Sequence, residues 1–217
     1  MADFKDGELK REINNSRPRL GGVFLKHLLS ALPDLTAQLT FWLLVIGGLA
    51  LDLWTKSAVF AYLEHHDNIS IIDGFLRLVM ALNDGAAFGL FPGHPNWLIA
   101  VSVIALTGII AIFLFSGTKQ KSIHIALGLF AAGVCGNLWD RIFNDGLVRD
   151  FIDIVYWPGK HWPAFNIADS MLCAGVVLMM VSTFFTEMSS RKHPRQHKSG
   201  RLMPPLMQSH RKDGSQF

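Results

Sequence analysis

Four long runs of apolar residues dominate the hydropathy pattern of the chain. They cover residues 39–63, 97–115, 123–142 and 165–185, and each has roughly the 20 residues that a helix needs to cross a membrane. The second run contains no charged residue, so it lacks the polar face expected of a helix in a soluble bundle. The pattern therefore predicts an integral membrane protein with four spanning helices.

The basic residues divide the polar segments into two groups. Fifteen Lys and Arg lie before residue 34, between the second and third runs, or after residue 185, whereas the loops at about 64–96 and 143–164 have only three. Cytoplasmic segments carry the excess of Lys and Arg. We therefore expect both termini in the cytoplasm and both longer loops on the outer side.

Composition agrees with this division of the chain. Half of the 217 residues are hydrophobic and 17% are charged, below the usual quarter. We predict a basic cytoplasmic extension over 1–37, a four-helix transmembrane domain over 38–186 and a basic cytoplasmic tail over 187–217. The first 30 residues lack the apolar core of a cleaved signal peptide, so the first helix is expected to direct the chain to the membrane. The basic tails are interpreted as segments near anionic lipid rather than as nucleic-acid-binding arms.

Ionisable residues fall at one depth in three of the predicted helices. Asp52 lies 13 residues into the first run, roughly 20 Å from its inner edge at the rise of an α-helix. Asp140 lies at the outer end of the third run, and Asp169 lies near the outer start of the fourth. Ionisable groups inside a membrane are costly and usually functional. Their common depth predicts a shared polar site near the outer leaflet.

Helical spacing places several of these polar residues on shared faces. Asp52 and Lys56 are four residues apart and can pair on one side of the first helix. Two further triplets have spacings of three and four residues, so each triplet lies on one face of its helix. Asn and Asp side chains that face the inside of a bundle can form a hydrogen-bonded network. The triplets are Asn137, Asp140 and Arg141 in the third run, and Asn166, Asp169 and Ser170 in the fourth.

The two outer loops carry signals of extended structure. Residues 69–80 favour a short strand, and VRDFIDIVYW (148–157) is compatible with an extended run. NDGAAFGLF (83–91) begins with a turn signal and ends in an apolar tip. We expect this tip to contact lipid or a lipid substrate, or alternatively to form a simple hairpin that packs on the bundle. Pro163 precedes the fourth helix, close to a favoured helix-start position.

Paired carboxylates are the strongest chemical signal. Two aspartates that share a proton can activate water for peptide hydrolysis, one as base and one as acid, because close like charges raise one pKa. Spacing alone does not choose the pair. Residues 150 and 153 point to opposite faces of an extended run, so one of the two is expected to face the site. The candidates are Asp52, Asp84, Asp140, Asp150, Asp153 and Asp169.

Other chemistries have weaker support. The sequence has no HExxH motif, and His65 and His66 are adjacent in a loop, which is poor geometry for joint ligation, so no metal site and no cofactor are predicted. Cys135 and Cys173 lie inside apolar runs without a motif partner and are interpreted as small packing residues.

Five short motifs resemble, in order, those of lipoprotein signal peptidase, also called signal peptidase II. The resemblance covers roughly residues 38–186, and the set is specific although each motif alone is weak. Asp84, beside Asn83, and a slightly long connection between the third and fourth motifs depart from the expected pattern. The motifs are LDLWTK (51–56), NDGAAFGLF (83–91), GNLWDR (136–141), VRDF (148–151) and FNIADS (165–170).

The resemblance implies both a fold and an activity. The fold would be an all-α membrane protein, with four transmembrane helices and a small extracytoplasmic β-sheet and loop region. The activity would be that of an aspartyl endopeptidase of the bacterial inner membrane, a monomer that cleaves lipid-modified prolipoproteins before the modified cysteine and contacts membrane lipids. Asp150 and Asp169 match the catalytic positions. The matching supporting or substrate-contacting residues are Asp52, Lys56, Asn83, Gly85, Asn137, Asp140, Arg141 and Asn166.

Two other functions remain as alternatives. Intramembrane Asp and Asn residues also suit a small ion- or proton-coupled transporter, although the polar residues gather at one side of the membrane. A non-catalytic scaffold that binds partners through the apolar tip at 88–91 is the second alternative.

Overall fold

Four helices and a four-stranded sheet form the part of the chain that the computed structural model describes, residues 32–86 and 91–192. Most of the predicted extensions 1–37 and 187–217, and the centre of the apolar tip, lie outside the described residues. The helices are α1 (Leu35–Leu63), α2 (Pro95–Phe115), α3 (Lys121–Phe143) and α4 (Ile167–Lys192). The strands are β1 (Ile69–Ile72), β2 (Leu76–Asn83), β3 (Val148–Trp157) and β4 (Lys160–His161).

All four helices are long and apolar enough to cross a membrane, which confirms the predicted fold class. A helix satisfies its own backbone hydrogen bonds, which lipid cannot do, so runs of this length and composition have few other folds available to them. The predicted and observed helices coincide to within a few residues at most ends.

Helix α3 lies at the centre of the bundle and packs against the other three helices. Small residues permit this close packing, as expected between membrane helices. A side chain at Gly133 would meet the main-chain oxygen of Ala168 and the side chain of Leu172, so α3 and α4 are in direct contact there. At the end of the bundle far from the sheet, the rings of Phe41 and Phe113 stack with centroids 3.9 Å apart within an apolar core.

The strands form an antiparallel sheet in the order β1-β2-β3-β4. The extended run at 148–157 is confirmed as β3, and the short strand predicted within 69–80 is confirmed by β2. Two strands separated by a turn occupy that segment, and Gly74 in the turn has a φ of 73°, which glycine adopts without strain. Pairing of β2 with β3 places Ala81 opposite Asp150 and Asn83 opposite Val148.

The start of α4 is set by a reciprocal cap rather than by proline. Asn166 Oδ1 accepts a hydrogen bond from the Asp169 backbone N–H (3.0 Å), and Asp169 Oδ2 accepts one from the Asn166 backbone N–H (3.2 Å). This arrangement satisfies two donors at the helix start. The prediction that Pro163 lies close to the first position of the helix is wrong, because α4 begins at Ile167 and the proline lies in the preceding connection.

Candidate active site

The fold brings Asp150 of β3 next to Asp169 of α4, and Asn166 contacts both. The Asn166 side-chain Nδ2 donates to Asp150 Oδ1 (2.7 Å), while its backbone N–H donates to Asp169 Oδ2 as part of the helix cap. Asp150 is buried, with 2% of its surface exposed, and Asp169 is half-buried. Asn166 thereby fixes the strand carboxylate relative to the helix carboxylate. We refer to Asp150 and Asp169 as the aspartate pair.

Each member of the aspartate pair accepts a second hydrogen bond from an asparagine on another element. Asn83 Nδ2 of β2 donates to Asp150 Oδ2 (3.0 Å), and Asn137 Nδ2 of α3 donates to Asp169 Oδ1 (2.8 Å). The orientation of both amides is determined by their oxygens. Asn83 Oδ1 accepts from the Gly85 backbone N–H, and Asn137 Oδ1 accepts from Lys56 Nζ, so each NH₂ group is directed at a carboxylate.

Burial and a neighbouring charge raise the pKa of Asp150. Removal from water disfavours the carboxylate form, and the negative charge of Asp169 acts in the same direction, so the pKa rises to about 6. Hydrogen bonds from Asn83 and Asn166 and the charge of Lys56 oppose this rise. Asp150 therefore holds a proton at a pH where an ordinary aspartate is ionised.

A buried ion cluster lies directly behind the aspartate pair. Lys56 Nζ forms ion pairs with Asp52 Oδ2 (2.8 Å) and Asp140 Oδ2 (3.2 Å), and it donates a hydrogen bond to Asn137 Oδ1 (3.1 Å). Lys56, Asp52 and Asp140 are almost fully inaccessible to solvent. The predicted pairing of Asp52 with Lys56 is confirmed, and the cluster reaches the aspartate pair through Asn137.

Arg149 completes the ion cluster, and the sequence analysis did not single it out. Its Nη2 lies 2.7 Å from Asp140 Oδ1, and its backbone N–H donates to Asp140 Oδ2 (2.9 Å). The cluster of Asp52, Lys56, Asp140 and Arg149 thus contains two anions and two cations. The position of Arg149 next to Asp150 in the VRDF motif was an available signal. Arg149 lies in β3, nine residues from Asp140, so no short sequence spacing reveals this pairing.

The ion cluster also positions the start of α4. Asp52 Oδ1 accepts a hydrogen bond from the Ala168 backbone N–H (2.8 Å), one of the unpaired donors of the first helical turn. Asp52 therefore holds the residue immediately before Asp169. A charge on α1 influences the aspartate pair through this backbone contact.

The six candidate aspartates take four different environments. Asp52 and Asp140 belong to the ion cluster, and Asp84 is exposed. Asp153 is buried, but its carboxylate contacts Arg77 and His161. Among these candidates, the geometry leaves Asp150 and Asp169 as the pair that shares Asn166.

A cavity of about 900 Å³ opens beside the aspartate pair. One wall comes from α3 and α4, and the other comes from β3, β4 and the connection to α4. Arg141 borders it: Nη2 donates to the Gly85 main-chain oxygen (2.8 Å), whereas the buried Nε has no partner among the described residues. The lining residues include Asn83, Asn137, Arg141, Ile154, His161, Trp162, Phe165, Asp169, Ser170 and Cys173.

The cysteines and the loop histidines take no part in the aspartate pair. Both cysteines are free, but the packing interpretation is wrong for Cys173, which is exposed on the cavity wall, while Cys135 is partly buried. His65 and His66 are exposed. Within residues 32–86 and 91–192, no group of three or more His, Cys, Asp or Glu side chains is arranged to hold a metal ion.

Comparisons with known proteins identify similar chains. The family model described as signal peptidase (SPase) II matches residues 44–185. A lipoprotein signal peptidase of Geobacter sulfurreducens is 40% identical over 153 residues, covering 69% of this chain and 93% of the relative. Another, from Desulforapulum autotrophicum, is 39% identical over 144 residues, covering 64% of this chain and 88% of the relative. A solved bacterial membrane enzyme is 28% identical with a TM-score of 0.63, covering 72% of this chain and 92% of that one.

Proposed function

The chain belongs to the signal peptidase II family, and on that premise we propose that it is an aspartyl endopeptidase that removes signal peptides from diacylglyceryl-modified prolipoproteins. Cleavage falls immediately before the lipid-modified cysteine. One observation carries the proposal: Asp150 and Asp169 are held by a common asparagine beside a cavity that Asp169 lines. We assign the protein to the bacterial inner membrane as a monomer, with cytoplasmic termini and the cavity toward the outer leaflet.

In the proposed reaction, the aspartate pair shares one proton and activates a water molecule. Asp150 carries the proton because its pKa is raised to about 6, while ionised Asp169 removes a proton from the water. The water oxygen attacks the scissile carbonyl carbon, and Asp150 gives its proton to the carbonyl oxygen. The C–N bond then breaks as the proton on Asp169 passes to the leaving nitrogen, while one hydroxyl of the tetrahedral diol returns its proton to Asp150. The reaction consumes one water and restores one shared proton.

Other residues around the cavity would bind and orient the substrate. The buried Nε of Arg141 is a donor without a partner among the described residues, so a substrate carbonyl near Asp169 would satisfy it. Asn83 and Asn137 hold the carboxylates in place. A diacylglyceryl anchor in the lipid would fix the depth of the scissile bond, and such positioning supplies a large part of enzymatic rate enhancement.

The transporter alternative receives less support from the bundle. The half of the bundle far from the sheet is filled by an apolar core around Phe41, Phe113 and Leu127. The ionisable groups of the site, in contrast, gather beside the sheet and pair with each other. A path for ions would need polar groups along the whole length of the helices.

Cleavage of matched substrates by the purified protein tests the proposed function. We expect a prolipoprotein with a diacylglyceryl-modified cysteine to be cut once, with the modified cysteine as the new N-terminus by mass spectrometry. The same substrate with an unmodified cysteine should be cut much more slowly. Binding of the modified substrate without any cleavage would contradict an enzymatic role and favour a scaffold.

The pH dependence of cleavage should report the proton on the aspartate pair. Above about pH 6 Asp150 loses this proton, so kcat/KM should fall along a descending limb centred near that pH, a value that belongs to the pair as a unit. The Asn83 hydrogen bond favours the ionised form, so Asn83→Ala should raise the pKa of Asp150 and move the limb to higher pH. A limb that stays in place or moves to lower pH in this variant would contradict the assignment.

A further inference from the structure

A second buried carboxylate organises the sheet side of the cavity. Asp153 of β3 accepts hydrogen bonds from Arg77 of β2, at 2.9 Å from Nε and 2.6 Å from Nη2. Its oxygens also lie 3.0 Å from His161 Nδ1 of β4. The Asp153 side chain is 7% exposed. Three strands are therefore linked by one carboxylate, and the position of the His161 ring is fixed.

This contact also determines which nitrogen of His161 is available. A carboxylate accepts hydrogen bonds, so Nδ1 carries the hydrogen that Asp153 receives, and in the neutral ring Nε2 keeps its lone pair. Nε2 has no hydrogen-bond partner among the described residues, although the side chain is 38% exposed and lines the cavity. His161 consequently presents an oriented acceptor in the same cavity as Asp169.

The location of His161 in the sheet indicates which part of a substrate it meets. β4 is the last strand of the sheet, and an extended peptide beside such an edge presents main-chain N–H groups to it. Along α4, Cys173 lies one helical turn beyond Asp169 toward the far end of the bundle, so His161 and Cys173 mark opposite directions from Asp169. With the sheet on the outer side, as proposed above, a substrate segment that leaves the membrane after the scissile bond would pass the sheet.

We propose that His161 Nε2 accepts a hydrogen bond from a main-chain N–H of the substrate, on the mature-protein side of the scissile bond. Asp153 and Arg77 act as positioning residues, because they hold the ring and neither of them lines the cavity. The inference rests on the proposed function, since it names a contact of the same substrate. A buried N–H without an acceptor is unfavourable, so this contact selects a substrate chain that runs extended past β4.

A combination of protein and substrate changes tests this contact. The diacylglyceryl-modified substrate is prepared with an N-methyl group at each of the first few amide nitrogens after the modified cysteine. At one position, N-methylation should lower kcat/KM of the wild-type protein about fivefold, the value of one ordinary hydrogen bond. His161→Phe should lose a similar factor with the unmethylated substrate, mainly through KM, and should lose nothing more on methylation at that position.

Conservative and control variants separate binding from a purely structural role. The side-chain oxygen of His161→Gln can still accept, so this variant should retain part of the sensitivity to methylation. Asp153→Asn should weaken the sensitivity to methylation, because it releases the His161 ring. The control variant is His66→Phe, which changes an exposed histidine stacked on Tyr62 and should leave this sensitivity unchanged. If methylation and His161→Phe act independently at every position, His161 only supports the hairpin and the inference is wrong. Failure of the wild type to cut the unmethylated substrate would instead overturn the proposed function.

Discussion

Replacing either Asp150 or Asp169 with asparagine is expected to lower the rate of prolipoprotein cleavage by about 10³-fold or more, because the aspartate pair supplies both the base and the acid. Asparagine keeps the size of the side chain but cannot exchange a proton near neutral pH. The rate is measured by single-turnover cleavage of the diacylglyceryl-modified substrate in lipid. Near-wild-type activity in either variant would remove that residue from the pair.

Asp84→Asn is the matched control for these variants. It removes a carboxylate close in sequence to Asn83, but Asp84 is exposed and lies outside the set of residues that contact the aspartate pair. Cleavage by this variant should stay within about twofold of the wild type, as expected for a surface substitution away from such contacts. A loss of activity comparable to that of the Asp150 and Asp169 variants would indicate that any charge near the site controls the reaction.

The same substitution at Asp150 should stabilise the folded protein. The pKa of Asp150 is raised from 3.8 to about 6, so the folded state binds its proton more tightly than the unfolded state. Ionisation of Asp150 therefore destabilises the folded state as the pH rises from about 4 through 6, by roughly 3 kcal/mol at higher pH. Asp150→Asn should unfold at a higher temperature than the wild type at pH 8, and the difference should shrink below pH 4.

The second large effect is expected from Lys56→Met. This change leaves Asp52 and Asp140 facing each other in the ion cluster, with Arg149 as the remaining cation. Removing one partner of a buried ion pair typically costs about 3–5 kcal/mol. We expect a large fall in the temperature of unfolding in detergent, accompanied by reduced cleavage, because Asn137 Oδ1 loses one of its two donors and keeps only Asn166 Nδ2.

Two further variants test whether charge balance is the cause. Adding Asp52→Asn to Lys56→Met returns the cluster to one anion and one cation, so part of the stability should be recovered. Lys160→Met removes an exposed lysine and should change the unfolding temperature little. If the double variant is less stable than Lys56→Met alone, packing or hydrogen bonding of Asp52, rather than charge balance, dominates.

The sequence was sufficient for the features that depend on local pattern. The apolar runs identified the four helices because membrane spans are tightly constrained in length and composition. The four-residue spacing of Asp52 and Lys56 identified their ion pair. The common depth of Asp140 and Asp169 followed from the same helical geometry.

Contacts formed by strand pairing lay beyond the local pattern. Arg149 and Asp140 meet where β3 follows α3, and Arg77 reaches Asp153 only through the register of β2 with β3. Spacing alone could not choose Asp150 over Asp153, and family resemblance was needed to favour it. The cap at Asn166 displaced the helix start from Pro163, since a reciprocal pair of hydrogen bonds sets the helix boundary more strongly than a preference of proline.

Helix α1 carries Asp52 together with its own counter-ion, and this affects how the protein is made. A single charged residue near the centre of a helix adds about 2.5–3.5 kcal/mol to the free energy of insertion into a bilayer. The contact between Lys56 and Asp52 forms within one helix, so α1 enters the bilayer as an internally neutral segment before α3 has been synthesised. When α3 follows, Asp140 meets a lysine that is already in place. Arg149, nine residues after Asp140, then restores the charge balance of the cluster.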